Sequence, residues 1–449
     1  MNPTDKSSLL VDLYQLTMAQ AYVHQGIAEQ EAVFEFFVRD LPPQRRFLVS
    51  CGINQLTDFL LSFRFNKDEI AYLLSTKRFS KKFIDYLKDL RFTGDLFAMP
   101  EGTLFFPMEP MIQIKAPLIQ AQLIETRLIN IIHLNVLLAS KAARLTLAAK
   151  GLPVVDFGLR RAHGSEAGIV AARAAFVAGA AGTSTVLAGK LYDIPIFGTM
   201  AHSFVLAHES ELEAFVNFAR VQPDNVVLLI DTYDTLQGAR NALEAARILQ
   251  KEGIIVRGVR IDSGDLASQA RLVRQILDEA NMHEIKIFVS GNLDEYIVKG
   301  LLEQKAPIDG FGVGTKMDTS SDLPYLDCAY KLQEFKGKPK RKTSTGKATI
   351  PGRKQVYRYT EKGPSDRFKG DLISLWYEKI DNGIPLLVPV LLNGTPVARP
   401  LPDLQSSRSL FFEQIKAMPE GLRSIGPKEE AESYKVVISK NLRSIEKSL

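Results

Sequence analysis

The side chains most suited to chemistry sit in short polar loops, each after an apolar run. Gly158-Leu159-Arg160-Arg161-Ala162-His163-Gly164 follows Val154-Val155-Asp156-Phe157, and Gly198-Thr199-Met200-Ala201-His202-Ser203 follows Ile194-Pro195-Ile196-Phe197. Four more come in succession: Asp231-Thr232-Tyr233-Asp234, Asp262-Ser263-Gly264-Asp265, Ser290-Gly291-Asn292 and Gly314-Thr315-Lys316. The adjacent Arg160 and Arg161 could clamp a phosphate or carboxylate through bidentate hydrogen bonds, with one of the two expected to serve a structural acid instead. A histidine can act as acid, base or nucleophile near neutral pH. A lone one is more often structural, and His24, His208 and His283 are read that way; loop position alone sets His202 and His163 apart. Acidic, hydroxyl and glycine residues in such loops often only cap the next helix. That accounts for one residue per loop and leaves the rest of four consecutive loops unexplained. Gly182-Thr183-Ser184-Thr185 is a weaker signal, since its small hydroxyl residues could merely start the next helix.

The elements that must position these loops are strands. Apolar runs near residues 154, 196, 228, 259, 287 and 312 alternate with amphipathic helical patterns such as Leu266, Ala270, Val273 and Leu277. Strand–helix units of roughly thirty residues signal βαβ repeats and a parallel sheet. Parallel sheets place polar functional loops at the carboxyl ends of their strands. Six strands, with one or two more hidden, favour an irregular β/α barrel over an open sheet. Around it the pattern differs. Helical patterns are expected near residues 53–61, 67–74 and 81–90, a strand over 32–39, and a small β-rich region with Pro-punctuated turns over 94–117. The expected division is an N-terminal α+β domain over 1–130, an α/β barrel over 131–345, and a segment over 346–449 that packs on the N-terminal domain.

Composition narrows the class. A chain of 449 residues is long enough for a barrel and a second domain. A net charge of +5 calls for no nucleic-acid partner, and residues 336–344 read as a solvated basic loop. Two cysteines, Cys51 and Cys328, cannot build a disulfide framework and fit a reducing, cytoplasmic setting. The greasy stretch 123–147 is interrupted by Glu125, Arg127, His133, Asn135, Lys141 and Arg144, so no membrane span is expected. Tyr14, near the start of a first amphipathic helix, is on its own more simply a half-buried packing residue.

Several stretches together resemble the nicotinate phosphoribosyltransferase family. They are Asp12-Leu13-Tyr14-Gln15-Leu16-Thr17-Met18, Phe34-Glu35-Phe36-Phe37-Val38-Arg39, Phe157-Gly158-Leu159-Arg160-Arg161, Gly198-Thr199-Met200-Ala201-His202-Ser203, Leu229-Ile230-Asp231-Thr232-Tyr233-Asp234, Arg260-Ile261-Asp262-Ser263-Gly264-Asp265, Phe311-Gly312-Val313-Gly314-Thr315-Lys316 and Pro351-Gly352-Arg353-Lys354. Any one is weak; the ordered set, spanning most of the chain, is specific. One departure is Asp327-Cys328-Ala329 before Tyr330-Lys331-Leu332, where the family often has Gly-Gly-Val.

The resemblance implies a type II phosphoribosyltransferase fold, an irregular α/β barrel beside a smaller domain made from both chain ends. It implies a homodimer with shared active sites. The implied reaction joins nicotinate to 5-phosphoribosyl-1-pyrophosphate, giving nicotinate mononucleotide and pyrophosphate, with ATP hydrolysis coupled through a phosphorylated His202. His202, Arg260 and Asp262 would be catalytic. The pyridine ring would lie between Phe157 and Tyr14 of the partner subunit, with Arg160, Arg161, Ser203 and Arg260 around the carboxylate and phosphates. Backbone amides at Gly291, Asn292, Gly312, Gly314 and Thr315 would cradle the 5′-phosphate. Asp262 and Asp265 are candidates for ribose hydroxyls or Mg²⁺. Relatives that use nicotinamide carry an Asp where this chain has Ser184, and a carboxylate there would repel nicotinate. Nicotinamide and quinolinate phosphoribosyltransferases, and an inactive metabolite-binding paralogue, are the alternatives.

Overall fold

The computed structural model describes residues 7–42, 44–344, 346–361, 366–398, 401–426 and 434–449. It contains two compact units, Leu138–Pro324 and Met1–Leu137 with Tyr325–Leu449. The expected boundaries at 130/131 and 345/346 therefore fall at 137/138 and 324/325. One helix, Glu125–Ala148, runs unbroken past the first expected boundary. The strand Cys328–Phe335 pairs with Glu31–Val38, which ties residues after 325 to the chain's beginning.

The unit Leu138–Pro324 is built on parallel strands β1 (Val154–Asp156), β2 (Gly182–Thr183), β3 (Val226–Leu229), β4 (Val256–Ile261), β5 (Lys286–Val289) and β6 (Gly310–Val313). Their order is β2-β1-β6-β5-β4-β3, and a single parallel bridge between Thr183 and Ile196 extends it beyond β2. This is the cyclic order of a barrel, with first strand β1 paired to last strand β6. Among the described residues the ladder is missing only between Ile196 and β3, where the Asn225 side chain donates to the Gly198 carbonyl at 3.1 Å. The result is an irregular, open-seamed β/α barrel. The expected strand near 196 shrinks to that bridge because Pro195 has no N–H to give a ladder. β2, two residues long, was not among the expected strands. β3 and β6 are buried along their whole length, as strands covered on both faces should be.

Helices cover the sheet with apolar faces. Leu266–Glu279 buries Leu266, Ala270, Val273 and Leu277, one side of a 3.6-residue period. Asp234, Asp265 and Asp294 accept hydrogen bonds from the first-turn amides of the helices that follow β3, β4 and β5. Capping thus explains one acid in each of these loops. Lys141 and Arg144 hold the buried Glu295 at 2.5 and 2.8 Å, tying residues 141–144 to helix Glu295–Glu303 within this unit. Helix Glu125–Ala148 is long and apolar enough to cross a membrane, yet most of its apolar stretch is buried in the fold.

The other unit holds a seven-stranded sheet with Glu31–Val38 between Cys328–Phe335 and Ile112–Pro117, both antiparallel to it. Helices Ile53–Ser62, Lys67–Ser75 and Lys81–Asp89 stand where the amphipathic periods place them. The family departure at Asp327-Cys328-Ala329 lies on this strand: Cys328 faces Val38, and Asp327 accepts from Arg39 at 2.6 Å. Most of the basic segment is solvated. Lys336, Lys338, Lys340 and Lys342 are exposed, and Lys338–Pro339 forms a short strand against Cys328–Phe335. Lys354, beyond that segment, is buried with its Nζ 2.8 Å from Glu35.

Candidate active site

The carboxyl ends of the barrel strands surround a cavity of about 740 Å³. Every β-strand of this unit except β3 lends it lining residues. Phe157, Arg160 and Arg161 come from the turn after β1, Ser184 from the end of β2, and Gly198–His202 from the segment after the Ile196 bridge. β4 contributes Arg260 and Asp262, β5 Ser290, Gly291 and Asn292, and β6 Gly312, Gly314 and Thr315. Residues scattered over some 160 positions converge because parallel strands all point their polar ends one way.

Phe157 is held against β6. A Cβ at Gly312 would stand 2.5 Å from the Phe157 ring, so only glycine lets the ring come this close to the strand. The Arg260 guanidinium sits 5.9 Å from the ring centroid, at the edge of cation–π range. One of its nitrogens donates to the Met200 carbonyl at 3.0 Å, while Nε is buried and finds no acceptor among the described residues. A buried donor without a partner is costly, so this nitrogen suits an incoming anion. Burial pushes the guanidinium below its ordinary pKa, with Asp262 and Asp231 opposing. Arg160 and Arg161 are exposed in the short turn Leu159–Arg161, free to reach a ligand.

His202 opens helix His202–Leu206, and its Nδ1 lies 3.2 Å from the Thr232 hydroxyl, leaving Nε2 open. Asp262 Oδ1 accepts from Ser290 at 2.5 Å, and its Oδ2 takes no hydrogen bond among the described residues. Asp231, at the end of β3, accepts from the Asp262 amide and the Ser263 hydroxyl at 2.9 and 2.6 Å. It thereby fixes the 262–265 loop, while its Oδ1 is buried and unpartnered among the described residues. The loop sequence shows two acids, Asp231 and Asp234, and only the fold separates the strand-end acid from the helix cap. Thr232 and Met200 were likewise not singled out, since no residue type marks them.

Three expected site residues are not among those that line this cavity. Tyr14 belongs to the other unit, on helix Leu13–Gln25, and is 49% exposed. Ser203 is exposed on helix His202–Leu206 and does not line the cavity. Asp265 caps Leu266–Glu279, with Oδ1 on the Ser268 amide and Oδ2 on its hydroxyl. Those bonds hold its carboxyl below the usual range and leave little for a metal. His163 is exposed and outside the lining. No group of three or more His, Cys, Asp or Glu among the described residues is placed to chelate a metal by itself. A hard cation that keeps waters and substrate phosphates needs only one or two carboxylates, and the free Asp262 Oδ2 fits that demand.

Two family models match the chain: the nicotinate phosphoribosyltransferase N-terminal domain over residues 9–133 and the nicotinate phosphoribosyltransferase family over 152–360. The chain is 47% identical over 432 residues to "Nicotinate phosphoribosyltransferase pncB2" of Mycobacterium tuberculosis, covering 96% of this chain and 91% of that one. It is 41% identical over 385 residues to a nicotinate phosphoribosyltransferase of Bacillus subtilis, covering 84% of this chain and 78% of that one. The solved structure of human nicotinic acid phosphoribosyltransferase superposes with a TM-score of 0.85 at 28% identity, over 98% of this chain and 99% of that one.

Proposed function

The chain belongs to the nicotinate phosphoribosyltransferase family, and from that premise we propose that it forms nicotinate mononucleotide and pyrophosphate from nicotinate and 5-phosphoribosyl-1-pyrophosphate, in the salvage route to NAD. The observation that carries the choice of substrate is the neighbourhood of Phe157. Arg160, Arg161 and Arg260 supply cations there, and Ser184, where a carboxylate would serve an amide, is neutral. The pyridine ring stacks on Phe157 and its carboxylate meets the arginine pair. Its nitrogen attacks the ribose C1 as the bond to pyrophosphate breaks. The strand-end amides of Gly291, Asn292, Gly312, Gly314 and Thr315 hold the 5′-phosphate and so fix C1 in line with the nitrogen. Arg260, with its unpartnered Nε, meets charge growing on the leaving group.

Asp262 is the residue that would hold Mg²⁺ through its free oxygen, and the ion would there supply positive charge against that of the pyrophosphate. Asp265 is occupied as a helix cap and does not fit that role. ATP is the co-substrate. Thr232 occupies Nδ1 of His202, so Nε2 attacks the γ-phosphorus, the bond to ADP breaks, and the phosphoramidate later yields phosphate to water. The added charge, roughly two units by analogy with other phosphorylated side chains, holds the surrounding loops in the arrangement that binds phosphoribosyl pyrophosphate. Tyr14 of the partner subunit closes the other face of the ring in a homodimer. Two free cysteines accord with a cytoplasmic enzyme.

Thermal shift with nicotinate, nicotinamide and quinolinate, each with and without phosphoribosyl pyrophosphate, tests the ligand assignment. Nicotinate should stabilise the protein most, and a larger shift with nicotinamide would reverse the assignment.

A further inference from the structure

The turn that carries Phe157, Arg160 and Arg161 rests on a second carboxyl group that the reaction does not use. Asp156, the last residue of β1, is fully buried. Its Oδ1 accepts from the Gly158 amide at 2.8 Å and its Oδ2 from the Thr183 hydroxyl at 2.6 Å. Beside it lies Asp318, the last residue of the helical turn Thr315–Asp318, which is 3% exposed. Neither Asp318 oxygen accepts a hydrogen bond from any N–H or O–H among the described residues. Gly158 lies directly on this carboxyl: a Cβ there would stand 2.1 Å from Asp318 Cγ.

Two buried carboxylates side by side cannot both be charged, whereas a carboxylic acid can donate to a carboxylate. Asp156 already has two donors that favour its charged form; Asp318 has none. The proton therefore belongs on Asp318. We propose that Asp318 is a positioning residue: as the acid of an Asp156–Asp318 acid–carboxylate pair, it locks the 157–161 turn and so sets where the ring-stacking and carboxylate-binding groups stand. The pair links the end of β1, the hydroxyl of β2 and the turn after β6, three of the strands that frame the cavity. This rests on the function proposed above for its activity readout.

The remaining charged groups do not replace the pair. The turn Leu159–Arg161 and helix Ser165–Val177 pack most closely against Thr315–Asp318. They carry Arg160 and Arg161, both exposed, and Glu166 and Arg173. Lys316, on the same turn, is taken by Asp294 at 2.7 Å. Burial, then the charge and hydrogen bond of Asp156, push the Asp318 carboxyl from 3.8 up to about 9, and no other described residue contributes to that shift. Folding thus raises this pKa. The folded chain keeps a proton that the unfolded chain gives up, so this group's contribution to stability falls as pH rises from about 4 to about 9 and is then level.

The test compares wild type with Asp318→Asn, whose amide can donate to Asp156 without titrating. Infrared spectra of protein with isotope-labelled aspartate should show a protonated carboxyl at neutral pH that disappears toward about pH 10 and is absent from Asp318→Asn. In wild type, KM for nicotinate should rise about tenfold over that alkaline limb, with a smaller change in kcat, and should stay flat in Asp318→Asn. Should Asp318→Asn not fold, Asp156→Asn gives the same decision, because removing the negative partner must move the band's titration to lower pH. Wild type without an aspartic acid band at neutral pH, or a KM rise unchanged in Asp318→Asn, overturns the proposal. The infrared readout needs no turnover, so its failure is distinct from failure of the proposed reaction.

Discussion

At the residue scale, the proposed reaction makes substrate choice depend on Ser184 and assigns the proposed ATP effect to His202. Replacing Ser184 with Asp puts a carboxylate beside that of nicotinate. KM for nicotinate should then rise about ten- to a hundredfold, one to two pKa units' worth of repulsion, with nicotinamide affected less. Equal losses for both pyridines would show a steric effect. His202→Ala should abolish ATP hydrolysis and ATP stimulation while leaving a slow, ATP-independent transfer. Incubation with γ-labelled ATP should place acid-labile label on wild type only; label retained by the variant would refute the assignment. Of the residues that line the cavity, Arg160 and Arg161 were legible as adjacent cations at a strand's end, His202 by its loop position, and Phe157 only through the family resemblance. Asp231 was not, since it shares its loop with the capping Asp234. Asp265 shows the converse ambiguity: Asp262, three residues earlier, lines the cavity while Asp265 caps a helix, and the loop sequence does not tell the two acids apart. Asp318 gave no signal, because its partner Asp156 is 162 positions away and only the pairing of β1 with β6 brings them together.

At the element scale, the site's precision comes from close contacts between strands and turns. Gly312→Ala would press its new methyl into the Phe157 ring at 2.5 Å. It should cost about 1–3 kcal/mol of stability and raise KM for nicotinate, because the ring must move. Gly300, inside helix Glu295–Glu303, has nothing within 4 Å of such a methyl. Gly300→Ala should therefore stabilise by up to about 1 kcal/mol without touching KM. Chemical denaturation with steady-state kinetics on both variants checks the pair, and similar behaviour of the two would contradict the packing argument. Long periodic segments were legible: helices 53–62, 67–75 and 81–89 match their apolar periods within a residue or so. The strands that were not legible are short. β2 has two residues and no periodicity to show, and at Ile196 the apolar run has a proline at its centre, leaving one bridge.

At the scale of the whole molecule, the barrel unit is one continuous stretch, and the chain before and after it forms the other unit. The division was readable as a change from regular strand–helix units to Pro-punctuated short strands, but its limits were not. Helix Glu125–Ala148 crosses one limit without a break in pattern, and the other depends on a strand pairing between residues 31–38 and 328–335. The barrel unit leaves Val186, Leu187, Leu191, Ile196 and Phe197 exposed near its open seam, an apolar group of the kind oligomers cover. If sites are shared between two copies, mixing inactive Tyr14→Ala with inactive Arg260→Ala protein should restore up to about a quarter of the activity per site as mixed dimers form. Mixed dimers without recovery would place each site within one chain. The central claim is tested most directly by turnover itself. Nicotinate, nicotinamide and quinolinate are each incubated with phosphoribosyl pyrophosphate, Mg²⁺ and ATP, and mononucleotide and pyrophosphate are measured together. The account predicts nicotinate mononucleotide with an equal amount of pyrophosphate and far lower kcat/KM for the other two. Nicotinamide turnover at a comparable or higher kcat/KM, or no mononucleotide from any of the three, would contradict it.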